Sequence, residues 1–414
     1  MILLRSLAAV LAAGLLGQLT VPAGIVLSGD DPSRSGIGAP ESGCGAQPAA
    51  QPAPAGTPWT QRRYPPEQLA ALATGAGVTV AVIDSGVQAS HPQLAGRVDV
   101  GADFLDHGRD GWQDCVGHGT AVASIIAAAP RPDTPVRGLA PDARILPIRV
   151  SEQQVIDGRE TGRPADPQQL AHAIRWSVEQ GATVINLSVV LYRDVPSIRT
   201  AVAFAVARDV VVVAAAGNRR DSGDPRPYPA AYPGVLGVGA IGRDGKRSEF
   251  SQTGPHVDLM APGAGVPVAS LAGATQERDG TSYAAPFVAA TAALIRQYRP
   301  RSTAAEVAVQ ILDNVDPAPD AGAGHGRGVL NPFRAVTGTT GTGPAGPVAA
   351  LPARPVDPSL AVQESRRNES GHAAMMIGAL AAGLAVLVLT TAAVLPHGVR
   401  RRWSPGSPDL GRPR

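Results

Sequence analysis

Four polar residues stand out by type, surroundings and order along the chain. Asp84 follows an apolar run in VIDSGV, His118 lies between two glycines in DCVGHGT, Asn218 closes VVVAAAGN, and Ser282 sits in DGTSYAAP. A serine hydroxyl is a weak nucleophile until a base takes its proton. An imidazole serves as that base only when a carboxylate holds it in one tautomer. Asp84, His118 and Ser282 can supply carboxylate, base and nucleophile in that chain order. Asn218 and the backbone N–H of Ser282 can then donate to the oxyanion formed when the nucleophile adds to a carbonyl. Taken singly, each residue has an ordinary reading: Asp84 a strand-end turn residue, His118 a loop histidine, Ser282 a helix N-cap. Jointly they point to acyl transfer.

Residues so far apart need a scaffold that returns them to one place. Residues 78–83, 183–188 and 210–214 are short continuous apolar and β-branched runs, the pattern of parallel strands buried on both faces. Helical stretches are expected at 120–129, 168–180 and 197–208, between and after these runs. Strand, helix, strand succession predicts an α/β fold, a mainly parallel sheet with helices on both faces. Ligands in such sheets sit beyond the carboxyl ends of the strands. Asp84 and Asn218 end strands there, while His118 and Ser282 open helices. Pro286 supports the placement of Ser282, since proline is tolerated in the first turn of a helix. At a helix N-terminus, free N–H groups and the positive dipole end favour developing negative charge.

The two ends of the chain read as addresses. Residues 1–23 carry a basic residue, an apolar run and a small-residue site, as in a secretory signal peptide; an uncleaved anchor is the alternative. Residues 373–395 run without a charge, long enough to cross a bilayer, and Arg400, Arg401 and Arg402 follow. A buried core helix is the other reading of that run. Positive flanks stay cytoplasmic, so a single-pass protein is expected in the cell membrane, its folded domain outside and its C-terminus inside. The expected organisation is a signal peptide (1–23), an N-terminal extension (24–59), a catalytic domain (60–336), a Pro/Gly-rich linker (337–372), a transmembrane helix (373–395) contacting the lipid bilayer and a cytoplasmic tail (396–414). With 36 Lys+Arg against 34 Asp+Glu the net charge is only +2, which gives no electrostatic case for a nucleic-acid partner.

The segments Asp84-Ser85-Gly86, His118-Gly119-Thr120, Ala216-Gly217-Asn218 and Gly280-Thr281-Ser282-Tyr283-Ala284-Ala285-Pro286 resemble the Asp, His, oxyanion-Asn and Ser signatures of subtilisin-like serine proteases. The match runs over about residues 78–299. It implies a three-layer subtilisin-like fold and an endopeptidase that cleaves a protein or peptide substrate through an acyl-enzyme, with no cofactor. The family also pairs a Ser-Leu-Gly segment with the substrate backbone. The matching positions are Ser188, Val189 and Val190, with Gly217 a further substrate-binding candidate. Val190 replaces the family's glycine and is expected to crowd the specificity pocket. Arg219 either brings positive charge to that pocket or is a solvated loop residue.

The whole layout resembles mycosins, membrane-anchored proteases that accompany type VII secretion systems of actinobacteria. That resemblance implies a type VII secretion membrane complex as partner, and an extension that wraps the catalytic domain. A general envelope subtilase and a structural component of a secretion complex are the alternatives.

Other polar features look ordinary. Asp99, Asp103, Asp106, Asp110 and Asp114 suggest calcium, but they lack a compact ligand loop. His91, His107, His172, His256 and His325 show no metal-binding spacing, so no metal is expected. Two cysteines in an exported chain are expected to pair, and Cys44 with Cys115 would clamp the extension beside the loop that carries His118. A small buried hydrophobe is the other reading of Cys115.

Overall fold

The computed structural model describes residue 44 and residues 56–106, 110–156, 159–271, 273, 275–319 and 324–338. The expected signal peptide, most of the extension, the linker beyond residue 338, the membrane helix and the tail lie outside these residues, as does His107. Among the described residues no helix is long and apolar enough to cross a membrane.

Short helices α1 (Trp59–Arg63) and α2 (Pro66–Ala70) lead into β1 (Thr79–Asp84) and the two-residue β2 (Ala102–Asp103). Next come α3 (His118–Ala127), β3 (Arg144–Arg149), a hairpin of β4 (Gln154–Ile156) and β5 (Arg159–Thr161), α4 (Pro167–Glu179), β6 (Val184–Leu187), α5 (Pro196–Ala207) and β7 (Val211–Ala215). They are followed by β8 (Val235–Ile241), β9 (Leu259–Pro262), a second hairpin of β10 (Val266–Ala269) and β11 (Thr275–Arg278), then α6 (Thr281–Tyr298), α7 (Ala304–Asp313) and α8 (Pro332–Thr337).

Seven strands form one sheet in the order β2-β3-β1-β6-β7-β8-β9, and all of its neighbouring pairs are parallel. Side chains alternate across it with the period of two that strand geometry imposes. Val80, Val82, Val184, Val211 and Val213 join the core with α3 and α6 on one face. Ala81, Ile83, Ile185, Leu187 and Val212 join the core with α4 and α5 on the other. Burial of both faces explains why these strands read as unbroken apolar runs.

Strand order reverses beside β1, because the chain goes next to β3 on one side and later to β6 on the other. Such a reversal splays the loops at the carboxyl edge apart and opens a crevice there. Asp84 is the last residue of β1 and borders it.

Two expected boundaries are corrected. Helix α3 opens at His118, as expected, but runs only to Ala127, so the stretch expected at 120–129 is shifted; the N–H groups of Gly119 and Thr120 are taken by the side chains of Ser85 and Asp114. Pro286 lies in the interior of α6, not in its first turn. A proline there cannot donate to the carbonyl four residues back, which is that of Ser282. The Ser188 hydroxyl donates to the Ser282 carbonyl instead, at 2.9 Å.

At the β2–β3 edge, Arg149 ends β3 with a side chain only 1% exposed. It pairs with Asp103 at 2.6 Å, with Asp106 at 2.8 Å and with Glu152, and Arg163 joins Glu152 at 2.9 Å. Removing one partner of a buried ion pair strands the other without compensation. Arg149→Met is therefore expected to lower the unfolding free energy by about 3 kcal/mol, read from urea denaturation; an unchanged midpoint would mean that the carboxylates are hydrated well enough without it.

Candidate active site

Asp84 is 3% exposed, and its Oδ1 accepts the backbone N–H of Ser85 at 2.7 Å. The same oxygen lies 2.7 Å from Nδ1 of His118, the first residue of α3. Across the ring, Nε2 lies 3.0 Å from Ser282 Oγ at the start of α6. These partners assign the tautomer: Nδ1–H donates to the carboxylate, which leaves Nε2 to accept the serine proton. Burial opposes protonation of His118. The charge and hydrogen bond of Asp84, with the charge of Asp114, outweigh burial and raise the imidazole pKa above its ordinary value, against the pull of Arg278.

The loops that carry Asp84 and His118 are interlocked. Ser85 Oγ accepts the N–H of Gly119 at 2.9 Å and donates to Asp114 Oδ1 at 2.9 Å. Asp114 also accepts the N–H groups of Gly117 at 2.8 Å and Thr120 at 2.8 Å. A Cβ on Gly119 would fall 2.0 Å from Gly86 O and 3.1 Å from Asp84 Cβ. Only glycine allows the two loops to approach this closely.

The oxyanion candidates are set by a second interlock. Asn218 Oδ1 accepts both the N–H and the hydroxyl of Thr281, each at 2.9 Å. Its Nδ2 is thereby turned toward Ser282: a Cβ placed on Gly280 would lie 2.9 Å from Ser282 Oγ and 3.4 Å from Asn218 Nδ2. Thr281 Oγ1 in turn accepts the Gly217 N–H at 3.0 Å. Gly217 has φ 94°, the left-handed region that favours glycine, and a Cβ there would displace the end of the Gln252 side chain, whose Oε1 would lie 2.0 Å away. A donor amide and a helix N-terminus thus face one point beside a hydroxyl, an imidazole and a carboxylate. Such a set can add the hydroxyl to a carbonyl and hold the negative charge that results.

The proposed substrate-binding positions separate. Ser188 reaches the Ser282 carbonyl, as described, and Gly217 belongs to the Thr281 interlock. Val189 packs against the core under α4 and α5, whereas Val190 is half-buried outside it. The Arg219 guanidinium lies 4.5 Å from the Tyr192 ring centroid, a stacked position and not an open loop.

Cys44 and Cys115 form a disulfide across 71 residues, which fastens residue 44 to the loop just ahead of His118.

The acidic series does not converge. Asp99 pairs with Arg144, Asp103 and Asp106 pair with Arg149, Asp110 accepts the Trp112 N–H, and Asp114 serves the His118 loop. Of the histidines, His91 accepts the Gln93 N–H through Nδ1, and burial lowers His256 to about 4. Among the described residues no group of three or more His, Cys, Asp or Glu is placed to hold a metal ion.

The sequence offered Asp114 only as one of an acidic series and gave no role to Thr281 or to Tyr283, whose ring centroid lies 5.1 Å from that of His118. Each stands inside a quoted segment, and Asp114 lies only four residues before His118. Their adjacency was visible, but their hydrogen-bond partners were not.

Residues 75–328, more than half of the chain, match the subtilase family. The chain is 37% identical over 297 residues to mycosin-1 of Mycobacterium tuberculosis (strain ATCC 25618 / H37Rv), a stretch covering 60% of this chain and 66% of that protein. It is 37% identical over 236 residues to subtilisin E of Bacillus subtilis (strain 168), covering 56% of this chain and 59% of that one. The matched region thus spans less than two thirds of either relative's length. The fold is similar to the crystal structure of MycP1 from the ESX-1 type VII secretion system, with a TM-score of 0.62 at 30% identity over 72% of this chain and 90% of that chain.

Closing a loop of 71 residues restricts the unfolded chain. In the entropic account that restriction amounts to about 4 kcal/mol. Replacing both Cys44 and Cys115 by serine is expected to cost most of this in urea denaturation, and two reactive thiols in the unreduced native protein would refute the bridge.

Proposed function

Because the chain belongs to the subtilase family, we propose that it is a serine endopeptidase anchored in the cell membrane, with its catalytic domain outside. The observation that carries the chemistry is the hydrogen-bonded line from Asp84 through His118 to Ser282.

In this reading Ser282 Oγ attacks the scissile carbonyl carbon while His118 Nε2 takes the hydroxyl proton. Charge moves onto the carbonyl oxygen, where Asn218 Nδ2 and the Ser282 N–H receive it. Asp84 stabilises the imidazolium. That imidazolium then protonates the leaving amine as the C–N bond breaks, and an acyl-enzyme on Ser282 remains. Water, deprotonated by His118, adds to the acyl carbon; the ester C–O bond then breaks, the proton passes from His118 to Ser282 Oγ, and the acid is released. The segment of Ser188, Val189 and Val190 would pair with the substrate backbone, and Val190 would narrow the pocket for the residue preceding the scissile bond.

The substrates we propose are proteins handled by a type VII secretion system, or components of that system. Support comes from the similarity to mycosin-1 and to MycP1, whose structure is described as coming from such a system. The layout of signal peptide, domain, spacer and membrane helix read from the sequence fits the same setting.

Ser282→Ala is expected to lose both peptide hydrolysis and labelling by a serine-directed phosphonate; labelling that persists removes Ser282 as the nucleophile. Asn218→Ala should lower kcat by about 10²–10³-fold with little change in KM, the size of loss that follows removal of one oxyanion donor. The base must be neutral to act, and its pKa is raised from 6.5. The rate is therefore expected to fall as pH drops through a midpoint above 6.5, and a midpoint below that value contradicts the assignment. Deleting the gene in the host and finding secretion unchanged would end the type VII reading while leaving the chemistry intact.

A further inference from the structure

The Asp114 carboxylate is 6% exposed, and among the described residues no cation pairs with it. Its donors are all neutral. Oδ1 accepts Ser85 O–H at 2.9 Å, Val116 N–H at 3.2 Å and Gly117 N–H at 2.8 Å, while Oδ2 accepts Thr120 N–H at 2.8 Å and Thr120 O–H at 2.6 Å. Thr120 Oγ1 also accepts the Gln88 N–H at 3.0 Å, and Ser85 Oγ accepts the Gly119 N–H at 2.9 Å. One side chain thus ties the loop after Asp84 to the loop that delivers His118.

Burying a carboxylate without a counter-charge is costly, even when it is fully hydrogen-bonded. A neutral side chain that capped these N–H groups would avoid the cost. One group placed to gain from the negative charge is the imidazole of His118, four residues on, whose protonated form the Asp114 charge favours.

We propose that Asp114 is a positioning residue for His118: it clamps the loop that aims the imidazole at Ser282, and its buried charge favours the imidazolium formed during proton transfer. The proposal rests on the reading of His118 as the general base.

The charges that face His118 are Asp84 from β1, Asp114 from the loop before α3 and Arg278 from β11, with the neutral Tyr283 ring against it from α6. Burial, with the Asp84 charge adding to it, holds the Asp114 carboxyl above its ordinary value, and the hydrogen bonds from Thr120 and Ser85 pull it part of the way back. Asparagine at 114 would remove one negative charge. Asp84 alone would then oppose Arg278, and the imidazolium would be less favoured.

The test is Asp114→Asn in the full-length protein, with steady-state kinetics across pH and an NMR titration of His118 in protein carrying ¹⁵N-labelled histidine. The expected result is a fall in kcat of about tenfold or more with KM within about twofold. With it, the acid limb of kcat/KM and the His118 titration midpoint should both move about half a unit to lower pH. An unchanged kcat overturns the proposal. So does a fall in kcat with an unmoved limb and midpoint, which a merely loosened loop would produce. If the asparagine variant does not fold, Thr120→Val withdraws one donor and leaves the acid in place. It should show the same KM-sparing loss at about threefold, and wild-type kinetics there refute the clamp. Should the wild-type protein hydrolyse no peptide, the proteolytic reading fails, yet the NMR midpoint still decides whether Asp114 acts on His118.

Discussion

The carboxyl edge of the sheet turns on one contact, the 2.7 Å hydrogen bond between Asp84 Oδ1 and His118 Nδ1. A carboxylate buried to the extent of Asp84 is costly unless donors, or a partner able to take up positive charge, answer it. The partner comes from a segment 34 positions away in the chain. Parallel topology makes the meeting feasible, because every strand of the sheet ends on the same edge and delivers its following loop there. The reversal of strand order beside β1 then provides the gap into which the N-termini of α3 and α6 can both point.

Those two helices begin differently from α4, α7 and α8, although α1, α2 and α5 also lack a side-chain cap. Asp166 caps α4 with its own side chain, Thr303 and Glu306 form a capping box on α7, and Asn331 caps α8. No side chain at the N-cap serves α3 or α6. Their first N–H groups are bound by Ser85 and Asn218, residues of other segments, and by Asp114 from the loop just ahead of α3. A helix that caps itself is locally stable, whereas a helix capped from elsewhere is fixed in space relative to its donor. The second arrangement is the one that holds the Ser282 hydroxyl and the His118 imidazole at hydrogen-bonding distance. Pro286 extends the same logic inside α6, where the missing N–H leaves the Ser282 carbonyl to Ser188 and ties that helix to the end of β6.

The sequence shows some of this plainly and hides the rest for physical reasons. β1, β6 and β7 are legible as unbroken apolar runs because helices cover both faces of the sheet. β3 is not, since it holds Arg144, Pro147 and Arg149, and proline argues against a central strand. The structure accommodates Pro147 because β2 pairs with β3 only from Ile148 onward. β8 is interrupted by Gly237 and Gly239, whose absent side chains make room for the His256 carbonyl and the Met260 side chain. At the site, residue type and order single out Asp84, His118, Asn218 and Ser282. Nothing local shows that Asp114 will bond Ser85, 29 positions back, or that Thr281 will bond Asn218 across 63. Such partnerships are properties of the folded topology.

The disulfide gives this chain an unusual covalent form. Residues 44 to 115 make a closed ring, and β1 with Asp84 lies inside it while His118 lies just beyond its closure. Breaking any one peptide bond within a ring opens it without releasing either part. Hydrolysis of the chain between Cys44 and the first helix would generate a new N-terminus yet leave the severed arm bonded through Cys44 to Cys115, three residues before His118. Hydrolysis within that segment and release of the arm would therefore be separate chemical events, the first hydrolytic and the second reductive.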